Sequence, residues 1–275
     1  MGIFDGYLLV SDMDGTMLGT DRKISNENIE AIKYFIKEGG KFTIATGRTV
    51  ESTRRYIDKY FKDIPLELPV GLYNGSKLYD FKNEKTVLEL YLDDNEKEIL
   101  KKIKQDYETL GLEIYSEERT YIYSSCRFTE RFKTLNYDVC YEVPEYVWDK
   151  PWLKMLMVGE VEEIEDLEAS FKERYGEANL LRTGENYLEV VPDKSSKGVL
   201  VEKICELYDY DIKKVIALGD NMNDLDMLSK SGYGFAVSNG NQRLLEQIEL
   251  KAGTNDEHAI QHAVNYLKEH IKVHS

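Results

Sequence analysis

The chain has 275 residues, 42% of them hydrophobic and 32% charged, and a formal net charge of -15. That length supports one large domain or two modest ones, each with its own core. The acidity argues against nucleic acid, whose phosphate backbone needs a basic footprint, and any anionic ligand must be met by a local positive site. Three cysteines, Cys126, Cys140 and Cys205, lack metal-type spacing and read as reduced thiols, the usage of a cytoplasmic protein. No apolar run approaches the roughly 18 residues of a membrane span, and Met1–Gly6 lacks the basic-then-apolar layout of a signal peptide.

In chain order, Leu8–Ser11 reads as a buried strand, followed at once by Asp12-Met13-Asp14-Gly15-Thr16. Ser25 suits the cap of a helix with Ile29, Ile32, Phe35 and Ile36 on its inner face, ending at Gly39-Gly40. Lys41–Ala45 is a second strand running into Thr46-Gly47-Arg48, and the helix after it turns Tyr56 and Ile57 inward. Asn74-Gly75 between two short apolar runs is a hairpin signal.

The middle of the chain changes character. Residues 82–189 are rich in Glu, Lys and Tyr, and their strands (Glu113-Ile114-Tyr115, Thr120–Tyr123) look half-exposed. Helices are expected from Asp94 to about Leu110 and from Glu162 to Tyr175, with strands at Leu153–Val158 and Tyr187–Val191. This pattern suggests an antiparallel α+β module inserted into a parallel-sheet domain made of residues 1–81 and 190–275. The parallel style then resumes with a helix at Lys197–Leu207, a strand at Val215–Leu218 ending in Gly219-Asp220, a short helix at Leu225–Ser229 and a strand at Phe235–Val237.

Ligands of an open parallel sheet bind beyond the carboxyl ends of its strands. Three strands here end in polar signatures: Asp12 with Asp14, Thr46-Gly47-Arg48, and Asp220 with Asn223-Asp224. Lys197 stands at a helix start, where anions are favoured. Taken singly, each has a plain explanation as a turn, a helix cap or a solvated lysine. Their joint arrival at strand ends, in this order, does not.

These segments resemble the four motifs of the haloacid dehalogenase-like superfamily, and within it the Cof-type phosphatases with a large α/β cap (type C2B) between the second and third motifs. The resemblance covers essentially the whole chain: Asp12–Thr16 matches the first motif, Thr46 the second, Lys197 the third and Gly219–Asp224 the fourth. It implies a Rossmann-like core with an inserted, specificity-setting cap, and a magnesium-dependent phosphomonoesterase acting on small phosphorylated metabolites such as sugar phosphates. In that reading Asp12 is the nucleophile and Asp14 the acid and base. Asp12, the carbonyl of Asp14 and Asp220 hold Mg²⁺, and Thr46, Gly47, Arg48, Lys197 and Asn223 meet phosphate or substrate. Asp224 acts from behind them. Among cap residues, Arg119, Tyr121, Tyr123, Arg127 and Lys154 are candidates for touching the leaving group. A phosphomutase of the same fold and a non-catalytic phospho-ligand sensor are the alternatives. The intact Asp14 speaks against the sensor. Oligomeric state is not legible.

Overall fold

The computed structural model describes residues 2–116, 119–135, 137–177 and 179–271. The first stretch holds β1 (Leu8–Ser11), α1 (Asn26–Lys37), β2 (Lys41–Ile44), α2 (Val50–Tyr60), β3 (Val70–Leu72), β4 (Lys77–Asp80) and β5 (Lys85–Glu89). The middle holds α3 (Asp94–Asp106), β6 (Gly111–Ser116), β7 (Thr120–Ser124), α4 (Arg131–Leu135), β8 (Val139–Cys140), β9 (Trp152–Val158), α5 (Val161–Tyr175), β10 (Leu180–Gly184) and β11 (Tyr187–Val190). The last stretch holds α6 (Lys197–Tyr208), β12 (Val215–Gly219), α7 (Leu225–Lys230), β13 (Tyr233–Val237), α8 (Gln242–Gln247), β14 (Leu250–Ala252) and α9 (Ala259–His270). The chain divides into two compact units, Met1–Leu88 with Ser196–Ser275, and Glu89–Ser195.

The first unit is built on a parallel sheet of order β14-β13-β12-β1-β2. All four residues of β1 and all five of β12 are buried, as continuous apolar strands require when both faces of a sheet are covered. The chain begins in β1, moves outward to β2 on one side, and returns at β12 on the other. The order therefore reverses at β1, which makes its carboxyl end the switch point where a crevice opens. Strands β3, β4 and β5 form a separate small sheet, tied to the end of β2 by a bridge between Ala45 and Gly71.

The α1 helix is capped by Ser25 as expected, but its inner face is Asn28, Ala31, Ile32 and Phe35, with Ile29 and Ile36 only half-buried. The rotation follows from Asn28, whose Oδ1 accepts hydrogen bonds from the backbone N–H groups of Ile260 and Gln261 at the start of α9. His258, which precedes α9, supplies no side-chain cap, so a residue of α1 does it instead.

The second unit is a six-stranded sheet of order β10-β11-β9-β6-β7-β8, antiparallel except for the β7–β8 pair. Leu100 and Ile103 of α3 and Ile164, Leu167 and Phe171 of α5 pack with Ile114, Met155, Met157 and Leu188 in one core. α3 ends at Asp106, short of Leu110, because Tyr107 leaves helical geometry (φ -131, ψ 88). The largest departure from the sequence reading is β6, which is buried at every position. Glu113, fully buried, receives both guanidinium arms of Arg131 at 2.7 Å and the Tyr115 hydroxyl at 2.6 Å. Lys154 and Glu189 form a second buried pair at 2.8 Å, with Thr183 donating to Glu189. Polar alternation marked these strands as half-exposed, yet their charges are paired inside.

A buried ion pair costs much to break and little to replace as a whole. Lys154→Met alone is expected to destabilise the second unit by about 3 kcal/mol, and Lys154→Met with Glu189→Leu to recover most of that. Both tryptophans, Trp148 and Trp152, lie in this unit. Urea denaturation followed by tryptophan fluorescence therefore reads it directly.

Candidate active site

Asp12 follows β1, Thr46 follows β2 and Asp220 follows β12, so three neighbouring parallel strands deliver them to one edge of the sheet. Lys197 arrives at the first position of α6, behind the Ser196 cap, whose hydroxyl accepts from the Val199 N–H at 3.0 Å. The Lys197 ammonium lies 2.6 Å from Asp12 Oδ1 and 2.6 Å from Asp224 Oδ1, and it is 1% exposed. Sequence segments nearly 190 positions apart thus meet in one buried ion cluster.

The two carboxylates facing Lys197 differ in what else they touch. Asp224 is fully buried, and its Oδ2 accepts the N–H groups of Asp220 (3.0 Å) and Asn221 (3.1 Å). With Oδ1 on Lys197, both Asp224 oxygens are engaged, and Asp224 acts as a brace. Asp12 places its Oδ1 on Lys197 and lies in hydrogen-bond contact with Asp220, which also accepts from the Thr16 hydroxyl at 3.0 Å. Asp12, Asp220 and Asp224 can each bring one oxygen within 4.8 Å of the others. Three carboxylates against one ammonium leave two negative charges in excess.

That excess shows in the acidities. Burial pushes the Asp12 carboxyl well above the usual range, and the neighbouring Asp224 and Asp220 charges add to it against the pull of Lys197. Burial and the Asp224 charge raise Asp220 to about 6. Burial alone would lower the Lys197 ammonium, but Asp12 and Asp224 hold it above an ordinary lysine. A small divalent cation between Asp12 and Asp220 would neutralise the surplus, and all-oxygen donors of this kind suit Mg²⁺. The donor set fits such an ion, with Asp12 and Asp220 less engaged by the protein's own hydrogen-bond donors than Asp224.

The remaining sequence-selected residues fall into two groups. Asp14 and Arg48 meet each other: Arg48 Nε donates to Asp14 Oδ2 and Nη2 to Oδ1, both at 2.6 Å. Arg48 also donates to the Ser52 hydroxyl at 2.9 Å and stacks over Tyr56, 4.6 Å from the ring centre. Thr46 is buried, and its hydroxyl accepts from the Arg48 N–H at 3.3 Å. Asn223 donates from Nδ2 to Asn74 Oδ1 at 3.0 Å. Each cap candidate has a partner within the second unit: Arg119 with Asp138, Tyr121 with Tyr146, Tyr123 with Trp148, Arg127 with Glu160, and Lys154 with Glu189.

Three residues around the cluster escaped the sequence reading. Thr16 was part of a quoted motif without a task of its own. Asn239 donates to the Gly15 carbonyl at 2.9 Å from the loop after β13. Asn74 was read as a hairpin turn. Strands β3 and β4 do pair antiparallel, and the connection between them contains a buried turn, Tyr73–Gly75, whose Asn reaches the fourth motif.

With this geometry in hand, comparison with known proteins is informative. Residues 9–264 match the family model described as haloacid dehalogenase-like hydrolase. A 5-amino-6-(5-phospho-D-ribitylamino)uracil phosphatase of Bacillus subtilis, YcsE, is 25% identical over 262 residues, spanning 95% of this chain and 96% of its own. The fold is shared with TM0651 from Thermotoga maritima (TM-score 0.78, 23% identity, 94% and 97% of the two chains). It is shared too with a haloacid dehalogenase-like hydrolase from Bacteroides thetaiotaomicron (TM-score 0.79, 22% identity, 95% and 99%). The chain therefore belongs to the haloacid dehalogenase-like hydrolase family, as an enzyme of the phosphatase kind.

Proposed function

We propose that the protein is a Mg²⁺-dependent phosphomonoesterase that hydrolyses small phosphorylated metabolites through an aspartyl-phosphate on Asp12, with sugar and polyol phosphates as the favoured class. The observation that carries this is the buried Lys197 held between Asp12 and Asp224 beside Asp220. A carboxylate attacking an anionic phosphate faces repulsion of about 4 kcal/mol per pair of unit charges at 4 Å and an effective dielectric of 20. Lys197 offsets part of this. Mg²⁺, held by Asp12, Asp220 and the Asp14 carbonyl, would supply the rest of the positive charge.

In the first step an Asp12 oxygen forms a bond to phosphorus as the ester P–O bond breaks, and Asp14 gives its proton to the departing alkoxide. In the second, Asp14 takes a proton from water, which attacks phosphorus and returns Asp12 to its carboxylate. Lys197, the Thr46 hydroxyl, the Gly47 backbone and Asn223 are the groups assigned to the phosphoryl oxygens, fixed in place before the substrate arrives. Both Asp14 oxygens are engaged by Arg48, so the acid and base work requires that pair to open. An anionic substrate is a competing partner for the Arg48 guanidinium, which ties Asp14's release to substrate binding. The unit Glu89–Ser195 is the substrate-selecting cap in this reading, by resemblance. The activity named for the Bacillus subtilis relative, on a ribityl phosphate, favours a hydroxyl-rich leaving group.

Asp12→Asn is expected to abolish phosphate release while the circular dichroism spectrum stays native. Turnover near the wild-type rate in that variant rejects the nucleophile. Phosphate release across a panel of sugar, polyol and nucleotide monoesters is expected to vanish in EDTA and to return with Mg²⁺. Undiminished release in EDTA rejects the metal.

A further inference from the structure

The turn Tyr73–Gly75 extends left-handed backbone to Tyr73, beyond the Asn-Gly positions that hairpin turns favour. Tyr73, Asn74 and Gly75 all have positive φ, at 53, 55 and 124°. A tyrosine is a costly choice for that region, and such a run persists only where its surroundings impose it. Those surroundings come from three of the four motifs. The Tyr73 N–H donates to the Arg48 carbonyl at 3.2 Å and the Asn74 N–H to the Thr46 carbonyl at 3.1 Å, pinning the loop after β2 by its backbone. A Cβ on Gly75 would run into the backbone of Ser196, the residue before Lys197. The Asn74 side chain, 1% exposed, reaches Asn223.

The Asn74 carboxamide meets two neighbours. Its Oδ1 takes one hydrogen of Asn223 Nδ2, which fixes the Asn223 amide orientation, since a flip would set two oxygens face to face. The second Nδ2 hydrogen of Asn223 remains to meet an anionic acceptor. Gly47 packs against the carboxamide, where an added Cβ would lie 2.7 Å from Asn74 Nδ2, 2.9 Å from Oδ1 and 3.0 Å from Cγ. Residue 47 must therefore be glycine for this amide to sit where it does.

We infer that Asn74 is a positioning residue for phosphoryl transfer, its carboxamide setting Asn223 and the Thr46–Arg48 loop in one fixed relation. The inference rests on the phosphatase reading above, which gives those two segments a common phosphoryl group.

Asn74→Gly keeps the left-handed backbone and removes only the amide. Asn74→Gly and Asn223→Ala are each expected to lower kcat by about 10- to 100-fold, as misplacement of fixed groups does, with KM moving less than about threefold. The double variant is expected to be no more than about threefold slower than the slower single variant, the signature of two residues acting as one unit. Melting followed by circular dichroism should change by only a few degrees. Losses that multiply in the double variant, or an unchanged kcat in Asn74→Gly, overturn the inference while leaving the phosphatase reading intact. A wild-type chain inactive on every ester overturns that reading instead. Calorimetric titration with inorganic phosphate then decides the role of Asn74: weaker binding in Asn74→Gly supports it, and equal binding overturns it.

Discussion

A lysine ammonium buried between two carboxylates organises this protein. Burial of the Lys197 ammonium at 1% exposure is offset by Asp12 and Asp224, and its charge in turn offsets theirs. The cluster draws together the end of β1, the start of α6 and the turn before α7, so it fixes the relation of segments far apart in the chain. It is also over-supplied with negative charge, because Asp220 stands beside it. Structural ion pairs close their own balance. One that stays two charges short leaves room for a positive partner, the role that the proposed function gives to a divalent cation.

The core and its motifs were legible because their signals are local. Apolar runs such as Val215–Leu218 mark strands covered on both faces, and a carboxylate immediately after such a run has nowhere to go but the sheet edge. The motifs needed no long-range information beyond the rule that parallel strands end together. What could not be read was every feature set by tertiary partners. The apolar pattern of α1 gave Asn28 no place on the inner face, and only the backbone of α9 explains why it turns inward. The helix α9 itself and the edge strand β14 were not anticipated.

Two positions whose partners were not legible share one cause. Asn74-Gly75 is the strongest short-range hairpin signal available, and a hairpin is there, but the same left-handed preference that suits a two-residue turn also suits a turn bent to serve the site. Glu113 in an alternating strand reads as solvent-facing, yet Arg131 and Tyr115 take it inside. In both cases sequence gives the conformational preference of a residue and not the partner that uses it. Arg48 sits between these extremes. Its place beside Thr46 marked it as a site residue, whereas its grip on both Asp14 oxygens is visible only in three dimensions.

The central claim is that Asp12 and Asp220 carry a charge surplus that a divalent cation balances, with Lys197 competing for the same surplus. Calorimetric titration of Mg²⁺ into the wild-type chain and into Asp220→Asn and Lys197→Gln tests it most directly. The account expects one Mg²⁺ per chain in the wild type, binding weakened by about tenfold or more in Asp220→Asn, and tighter binding in Lys197→Gln, where one positive neighbour has gone. Equal Mg²⁺ affinity in the wild type and Asp220→Asn would contradict it.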